Sequence, residues 1–306
     1  MWKFRIRHWF LMLACLVASV VSACGSGRPT AHLTTIPIQV SPSNLMALPL
    51  VVAVAIHSDT AYGLQFHLTP QGTSAVTAVS PADPTRLAHP VFAYVAVHGD
   101  WALITPEANS GFRWTALASL PLVETDLPRL AQQLLPAVLR DHQVTPAHIE
   151  TLPFSQAQTL FLGGRLPFWL VPATDVARLP SHSYHLITLL TASTGPIPAL
   201  VLTAPPGQRA AVAASVNAAL TYIHTHDANN VARLVAPYYG LSPAALTPWV
   251  RNGVALGMWP ETTFPDRTTY VRLLQWLAAV PADRSDAWYA SQVDPKPAAA
   301  ALAGSL

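Results

Sequence analysis

The sequence predicts an α/β protein, because short apolar strands alternate with amphipathic helices over its first two thirds. A strand–helix–strand unit opens this pattern at 36–68, and from Pro206 onward every segment has helical spacing. A chain of 306 residues can bury a large core, and chains of this size commonly divide into two domains. We therefore expect an α/β architecture that ends in a helical C-terminal third.

The first unit begins with a short strand at 36–40, which ends in a turn-rich loop. Residues 45–62 are apolar over a helical length, and Gly63 provides a favourable C-terminal stop. Residues 64–68 alternate between apolar and polar side chains and predict a second strand. Residues 69–90 are rich in Pro, Gly, Ser and Thr, so they predict no regular element.

The middle of the chain continues the alternation of predicted strands and helices. Apolar and β-branched runs predict strands at 91–97, 101–105, 117–123, 149–152, 168–171, 184–190 and 197–202. Apolar residues with helical spacing predict helices at 128–142, 156–162 and 174–179. The last third predicts helices at 208–226, 229–236, 243–256 and 268–280, followed by a low-complexity tail at 298–303.

The N-terminus has the pattern of a bacterial lipoprotein signal. A cationic start precedes a short apolar run, which ends at Val21-Ser22-Ala23-Cys24. A charged segment, 7–15 apolar residues and small residues form a secretory signal, and the run is too short to span a bilayer. We therefore expect residues 1–23 to be a signal peptide, Cys24 to be lipidated and residues 24–35 to be a tether. The mature protein would then be extracytoplasmic and anchored to the cell membrane by its N-terminal lipid.

Composition excludes several classes of function. Loss of Lys3, Arg5 and Arg7 with the signal reduces the 17 basic residues to 14 against 15 acidic ones, so no basic field for nucleic acid remains. Cys15 also leaves, so neither a disulfide nor a catalytic thiol is expected.

Two common catalytic motifs do not occur in the sequence, and its one histidine pair with metal-like spacing is a poor match. Neither a G-x-S-x-G elbow nor a G-x-x-x-x-G-K-[ST] loop occurs, so neither a serine hydrolase of that type nor an ATPase subunit is indicated. His224 and His226 lie two apart on a predicted helix and point to different faces, which makes a poor metal site. We expect no enzyme activity, no cofactor and no metal.

Several local patterns follow one another in an order that resembles a known family. They are 47–53 leading to Tyr62-Gly63-Leu64, GFRWTAL at 111–117, GPIP at 195–198, Trp259-Pro260 before 270–274, and YASQVD at 289–294. Together they resemble the solute-binding proteins of nitrate/sulfonate/taurine-type ABC importers. The usual Gly-Lys after the GFRWTAL-like segment is replaced by Ala118-Ser119, and the segment at 70–90 is shorter than the family pattern.

The resemblance implies a two-lobed periplasmic-binding-protein-like type II fold, in which each lobe is a sheet flanked by helices. One lobe would comprise 36–98 and 204–306, and the other 99–203. It further implies a monomeric, lipid-anchored protein that binds a small-molecule solute between its lobes. The partners would be the permease and ATPase subunits of an importer, with the membrane contacted through the lipid and no nucleic acid bound.

In that fold, ligands bind at the carboxyl ends of strands and the N-termini of helices. The residues that follow predicted strand ends are therefore candidate ligand contacts: Ser41, Asn44, Gln71, Gly72, Thr73, Thr125, Asp126, Ser155, Gln156, Pro172 and Thr174. Polar residues at these places also serve simply as helix caps. Because these strand ends carry no arginine, the cleft is a candidate for a neutral or apolar solute, held by aromatic rings such as Trp169 and Tyr184.

Two alternatives remain open at this stage. A degenerate lipoprotein with a scaffolding or sensing role would explain the short segment at 70–90. An enzyme related to thiamine-precursor synthesis would share the fold, but it would need a reactive His or Cys in the cleft.

Overall fold

The computed structural model describes residues 33–41, 44–70, 75–84, 87–108, 111–146 and 148–304. The expected signal peptide, Cys24 with most of the tether, and the candidates Gln71, Gly72 and Thr73 lie outside the described residues. Residues 34–306 form one compact unit. Among the helices of the described ranges, none combines the length and apolar character needed to cross a bilayer.

The described residues form ten strands. They are β1 (Thr34–Gln39), β2 (Leu64–Thr69), β3 (Val76–Val79), β4 (Val91–Ala96), β5 (Trp101–Thr105), β6 (Leu122–Glu124), β7 (Ile149–Thr151), β8 (Phe168–Pro172), β9 (His185–Leu189) and β10 (Leu200–Thr203). The strands β4 and β5 are buried along their whole length, which explains their continuous apolar sequences.

These strands make two mixed sheets. The first sheet has the order β2-β1-β3-β10-β4, and β10 runs antiparallel to both of its neighbours. The second sheet has the order β7-β6-β8-β5-β9, and β5 runs antiparallel to both of its neighbours. The α/β fold class predicted from sequence is therefore confirmed.

Two short segments connect the sheets. Val97–Asp100 leads from β4 to β5, and residues 190–199 return from β9 to β10. The segments lie side by side, because Ile197 N–H donates to the Val97 carbonyl at 2.8 Å and Gly99 N–H donates to the Thr191 hydroxyl at 3.1 Å. Gly99 is required at this crossover, since an added Cβ would lie 2.5 Å from the buried Trp101 ring.

Helices cover both sheets. In the described part of the chain they are α1 (Leu48–Ala55), α2 (Ser58–Ala61), α3 (Arg129–Asp141), α4 (Phe154–Leu162), α5 (Ala173–Val176), α6 (Arg209–Thr225), α7 (Ala228–Tyr239), α8 (Pro243–Ala255), α9 (Arg267–Trp276), α10 (Ser285–Gln292) and α11 (Lys296–Leu302). The low-complexity tail thus belongs to a helix, α11, which packs on α6.

Three of the predictions for residues 45–123 differ from the structure. The segment 69–90, expected to contain no regular element, includes β3, which forms by pairing with β1 and β10. The single helix expected at 45–62 is a 3-10 turn at Leu45–Ala47 followed by α1 and α2, with a break at His57, whose φ is 56°. The Ser58 hydroxyl donates to the Ser215 carbonyl at 2.9 Å, so tertiary contact with α6 holds the chain after the break. The strand expected at 117–123 begins only at Leu122, because a 3-10 helix precedes it.

Candidate functional site

The carboxyl ends of the strands in both sheets meet the same connecting segment. The strand β1 runs parallel to β2 and β3, and β4 has the same direction because both β3 and β4 are antiparallel to β10. In the second sheet the end of β8 pairs with the start of β5, at Pro172 and Trp101. Ligands of open α/β sheets bind outside the carboxyl ends of strands, so this region is the candidate site.

Asp100 lies at the centre of this region. Its carboxylate Oδ2 accepts a hydrogen bond from the Leu45 N–H at 3.2 Å, at the helix start that follows β1. Its carbonyl accepts a hydrogen bond from the Ala173 N–H at 2.8 Å, at the start of α5 after β8. The residue is 3% exposed. Asp100 therefore joins the helix starts of the two sheets through two different atoms.

The surroundings of Asp100 affect its ionisation. Burial raises the pKa of the Asp100 carboxyl to about 6, the Leu45 N–H opposes this shift, and the charge of Asp175 adds to it. Burial, and secondly the charge of Asp100, raise the pKa of the Tyr239 hydroxyl. That hydroxyl donates to the Asn44 carbonyl at 3.3 Å. A buried carboxylate and a buried phenol thus occupy the edge of the first sheet.

The candidates after β1 differ in their roles. The Asn44 side chain accepts a hydrogen bond from the Met46 N–H at 2.9 Å, so it caps the helix start. Ser41 is exposed at the end of the strand. The capping interpretation of the strand-end residues therefore holds for Asn44.

The candidates after β6 and β8 lie at the edge of the second sheet. The Thr125 hydroxyl is buried and accepts a hydrogen bond from the Trp169 indole N–H at 2.9 Å. Asp126 is exposed and has a φ of 47°, a left-handed conformation that Asp tolerates better than most residues. After β8, Pro172 is partly buried and Thr174 is buried. Thr125 thus has a structural partner, whereas Asp126 faces solvent.

Ser155 and Gln156 are exposed residues within the first turn of α4, not caps before it. The Ser155 carbonyl accepts a hydrogen bond from the Thr159 hydroxyl at 2.9 Å. The residue that precedes the helix is Pro153, whose side chain makes no capping hydrogen bond. Pro128 before α3 and Pro172 before α5 likewise make no side-chain capping hydrogen bond. Three helices of the second sheet therefore begin without a side-chain cap.

The two aromatic residues proposed to hold a solute have different environments. Trp169 is fully buried between Phe154 and Phe161, so its ring belongs to the core of the second sheet and does not reach a solute. Tyr184 is partly buried and stacks on Trp249 of α8, with ring centroids 6.3 Å apart and planes 18° apart. The hypothesis is therefore wrong for Trp169 and stays open for Tyr184.

A pocket of about 260 Å³ lies beside the crossovers, and it is lined by His98, Leu189, Ala192, Gly195, Pro196 and Leu256. The His98 Nδ1 lies 3.2 Å from the Thr191 carbonyl, and burial lowers the pKa of the imidazole. Across the described ranges, no group of three or more His, Cys, Asp or Glu residues is arranged to hold a metal ion.

Sequence reasoning missed three residues of this site: Asp100, Asp175 and Tyr239. It considered residues between a strand and the next helix, whereas Asp100 lies between two strands and Tyr239 at the end of a helix. A signal was nevertheless present, because Asp100 is the single charged residue between two apolar runs, 91–97 and 101–104. A charge in such a place is buried only with partners.

No protein-family model matches this sequence, and no curated protein matches it either. Solved structures do match. The periplasmic aliphatic sulphonate-binding protein SsuA from Escherichia coli is 15% identical, with a TM-score of 0.60 over 87% of this chain and 91% of that one. The ligand-binding component of an ABC-type import system from Staphylococcus aureus is 11% identical, with a TM-score of 0.62 over 88% and 99%.

An enzyme shares the same architecture. The desulfurization enzyme DSZB is 11% identical, with a TM-score of 0.59 over 89% of this chain and 100% of that one. At these identities the comparisons establish the fold. The chain has the fold of periplasmic solute-binding proteins, as its sequence patterns predicted.

Proposed function

We propose that this chain is the extracytoplasmic solute-binding component of an ABC importer and delivers a small molecule to a permease. The observation that carries the proposal is the arrangement of the two sheets, whose strand ends meet at one paired crossover. Binding components of such importers are among the proteins with this fold. Strand ends facing each other across a hinge allow two lobes to close on a solute.

The proposed lobes are 36–98 with 204–306, and 99–203. Only two segments connect the sheets, Val97–Asp100 and residues 190–199, so a rotation between lobes requires backbone changes in few residues. Closure then presents the loaded form to the permease and its ATPase. The protein's contribution is binding and delivery, with no bond made or broken in the solute.

We further propose that Cys24 carries the lipid that holds the protein at the membrane. Two cysteine variants provide a matched test, since Cys15 lies within the expected signal and Cys24 at its end. Cys24→Ala should lose incorporation of radiolabelled fatty acid and leave the membrane fraction. Cys15→Ala should retain both. Labelling of Cys24→Ala at the level of Cys15→Ala would contradict the anchor.

A specific observation also favours a second candidate, a ligand-free lipoprotein. Asp100 and Tyr239 are buried at the edge of the first sheet, where a solute would have to bind. An enzyme is less well supported, because the groups that meet around Asp100 are carboxylates and a phenol.

Thermal unfolding of the soluble chain from Gly25 separates the receptor from the ligand-free lipoprotein. Uncharged, cationic and anionic small molecules are added as a panel. A solute that binds only the folded protein stabilises it by about 2.7 kcal/mol at a hundredfold excess over its Kd. A saturable rise in Tm with one chemical class supports the receptor. A flat response across the panel supports the ligand-free alternative.

A further inference from the structure

We propose that Asp100 determines the solute specificity of the cleft, by occupying with its own carboxylate the position that an anionic solute would take. The inference deepens the proposed receptor function and rests on it. It makes this cleft selective against anions such as sulphonates, although a sulphonate-binding protein shares its fold. The solutes that such a cleft would still accept are uncharged or cationic.

The geometry of the helix start after β1 supports this role. Backbone N–H groups at the start of a helix attract negative charge, and the Leu45 N–H is the first of them here. Asp100 Oδ2 already accepts this hydrogen bond at 3.2 Å, and the neighbouring Met46 N–H donates to Asn44 at 2.9 Å. An incoming anion therefore finds both donors engaged by the protein itself.

Burial keeps the Asp100 carboxylate at the Leu45 N–H. Asp100 is 3% exposed, and Tyr239, whose hydroxyl is influenced by the Asp100 charge, is 6% exposed and donates to the Asn44 carbonyl. The backbone of Asp100 is held as well, because its carbonyl accepts from Ala173 of the second sheet. Asp100 is thus held by its carboxylate at the first sheet and by its backbone at the second, and it is not a mobile surface charge.

The charges around Asp100 also disfavour binding of an anionic solute. Asp175 is near enough to Asp100 for the two charges to interact, and Asp126 acts likewise on Asp175. The cation beside them, Arg178, is paired with Asp175 at 3.2 Å. These three carboxylates and one guanidinium leave an excess of negative charge, and placing a like charge beside it is unfavourable.

The test uses the full chain in detergent at pH 7.5, with methanesulfonate as the anionic probe. Isothermal titration should detect no saturable binding to the wild type. Asp100→Ala removes both the charge and its bulk, so it should bind methanesulfonate at least about tenfold more tightly than the wild type. Asp100→Asn removes the charge but still fills the position, so it should gain much less. Asp100→Ser provides a second small side chain if Asp100→Ala folds poorly.

Asp175→Ala is the matched control, because it removes a nearby carboxylate that does not bond the Leu45 N–H. It should gain much less affinity for methanesulfonate than Asp100→Ala, because the Leu45 N–H stays occupied. An equal gain in Asp175→Ala and Asp100→Ala would show a general charge effect and overturn the assignment to Asp100. Saturable binding of methanesulfonate to the wild type would also overturn it, as would its failure to bind a folded Asp100→Ala or Asp100→Ser variant.

The outcome is separable from that of the proposed function. If the wild type binds a sulphonate, the receptor function stands and the role of Asp100 fails. If Asp100→Ala binds methanesulfonate while the wild type binds no member of the solute panel, the role of Asp100 stands and the receptor function fails.

Discussion

The helix starts at the two sheet edges that meet at the crossover differ in side-chain capping. At the first sheet, side chains of Asn44 and Asp100 accept hydrogen bonds from the first two backbone N–H groups of the 3-10 helix Leu45–Ala47. At the second sheet, α3, α4 and α5 follow Pro128, Pro153 and Pro172, which provide no side-chain acceptor.

This difference indicates where a solute would find unused hydrogen-bond donors. The first N–H groups of a helix lack intrahelical partners and need caps, water or ligands. Those of the first sheet are occupied within the protein, whereas those of α3 and α4 have no side-chain cap. We therefore expect acceptor atoms of the solute, such as carbonyl or hydroxyl oxygens, to be bound mainly by N–H donors of the second sheet. Four substitutions test this asymmetry.

The largest effect is expected from Asp100→Asn, which keeps an acceptor for Leu45 but removes the buried charge. The groups facing the carboxyl are the Leu45 N–H, the backbone N–H of Asp100 itself, Asp175 and Tyr239. Its pKa is about 6, against about 3.9 for an unfolded chain, so the charged form opposes folding. The variant should gain about 3 kcal/mol of unfolding free energy above pH 7.

The sign of this effect depends on pH. The wild-type carboxyl contributes full stability below about pH 4, where it is neutral in both states, and loses it as pH rises through 6. Urea unfolding at pH 4 and pH 7.5 should therefore show a gain for Asp100→Asn only at the higher pH. An equal gain at both pH values, or a loss at pH 7.5, would contradict the buried carboxylate.

Thr125→Val tests a buried hydrogen bond at the edge of the second sheet. It removes the buried hydroxyl that accepts the Trp169 indole N–H, so an unpaired donor remains in the core. We expect a loss of about 1–3 kcal/mol in unfolding free energy, measured by urea denaturation. Affinity for a solute should be unchanged, and a large loss of affinity with intact stability would make Thr125 a ligand contact instead.

Asn44→Ala should destabilise the protein by about 1 kcal/mol, because it removes the side-chain cap from the helix start of the first sheet. Asn44→Ser is the matched control, since a hydroxyl also caps, and it should retain most of the stability. Thermal unfolding gives the comparison. Equal Tm values for Asn44→Ala and the wild type would remove the proposed difference between the two edges.

Ser155→Ala should change the unfolding free energy by less than about 0.5 kcal/mol, because the side chain is exposed and caps no helix. The variant is informative when its affinity for the solute is measured. If the solute contacts the second edge, the variant should weaken affinity while leaving Tm unchanged. A drop in Tm comparable to that of Asn44→Ala would show that Ser155 has a structural role after all.

Much of this fold follows from local sequence. The apolar runs at 91–97 and 101–105 correspond to β4 and β5, and the amphipathic 128–142 corresponds to α3. Short elements were harder to predict, since β3 has four residues in a segment rich in turn formers and its place comes from pairing with β1 and β10. The break at His57 likewise reflects contact with α6, which no local pattern records.

The site was less predictable than the fold, because its central contacts join distant parts of the chain. Asp100 bonds a residue 55 positions away, and Tyr239 bonds one 195 positions away. Strand-end reasoning could not distinguish a cap such as Asn44 from an internal partner such as Thr125.

The most direct test of the proposed receptor function is native mass spectrometry of the chain purified from the membranes of cells that express it, followed by identification of any small molecule it releases. We expect one solute per chain, uncharged or cationic, that rebinds after removal. An anionic solute such as a sulphonate would contradict the role of Asp100. Recovery of the chain with no solute, even from solute-rich cells, would contradict the receptor itself.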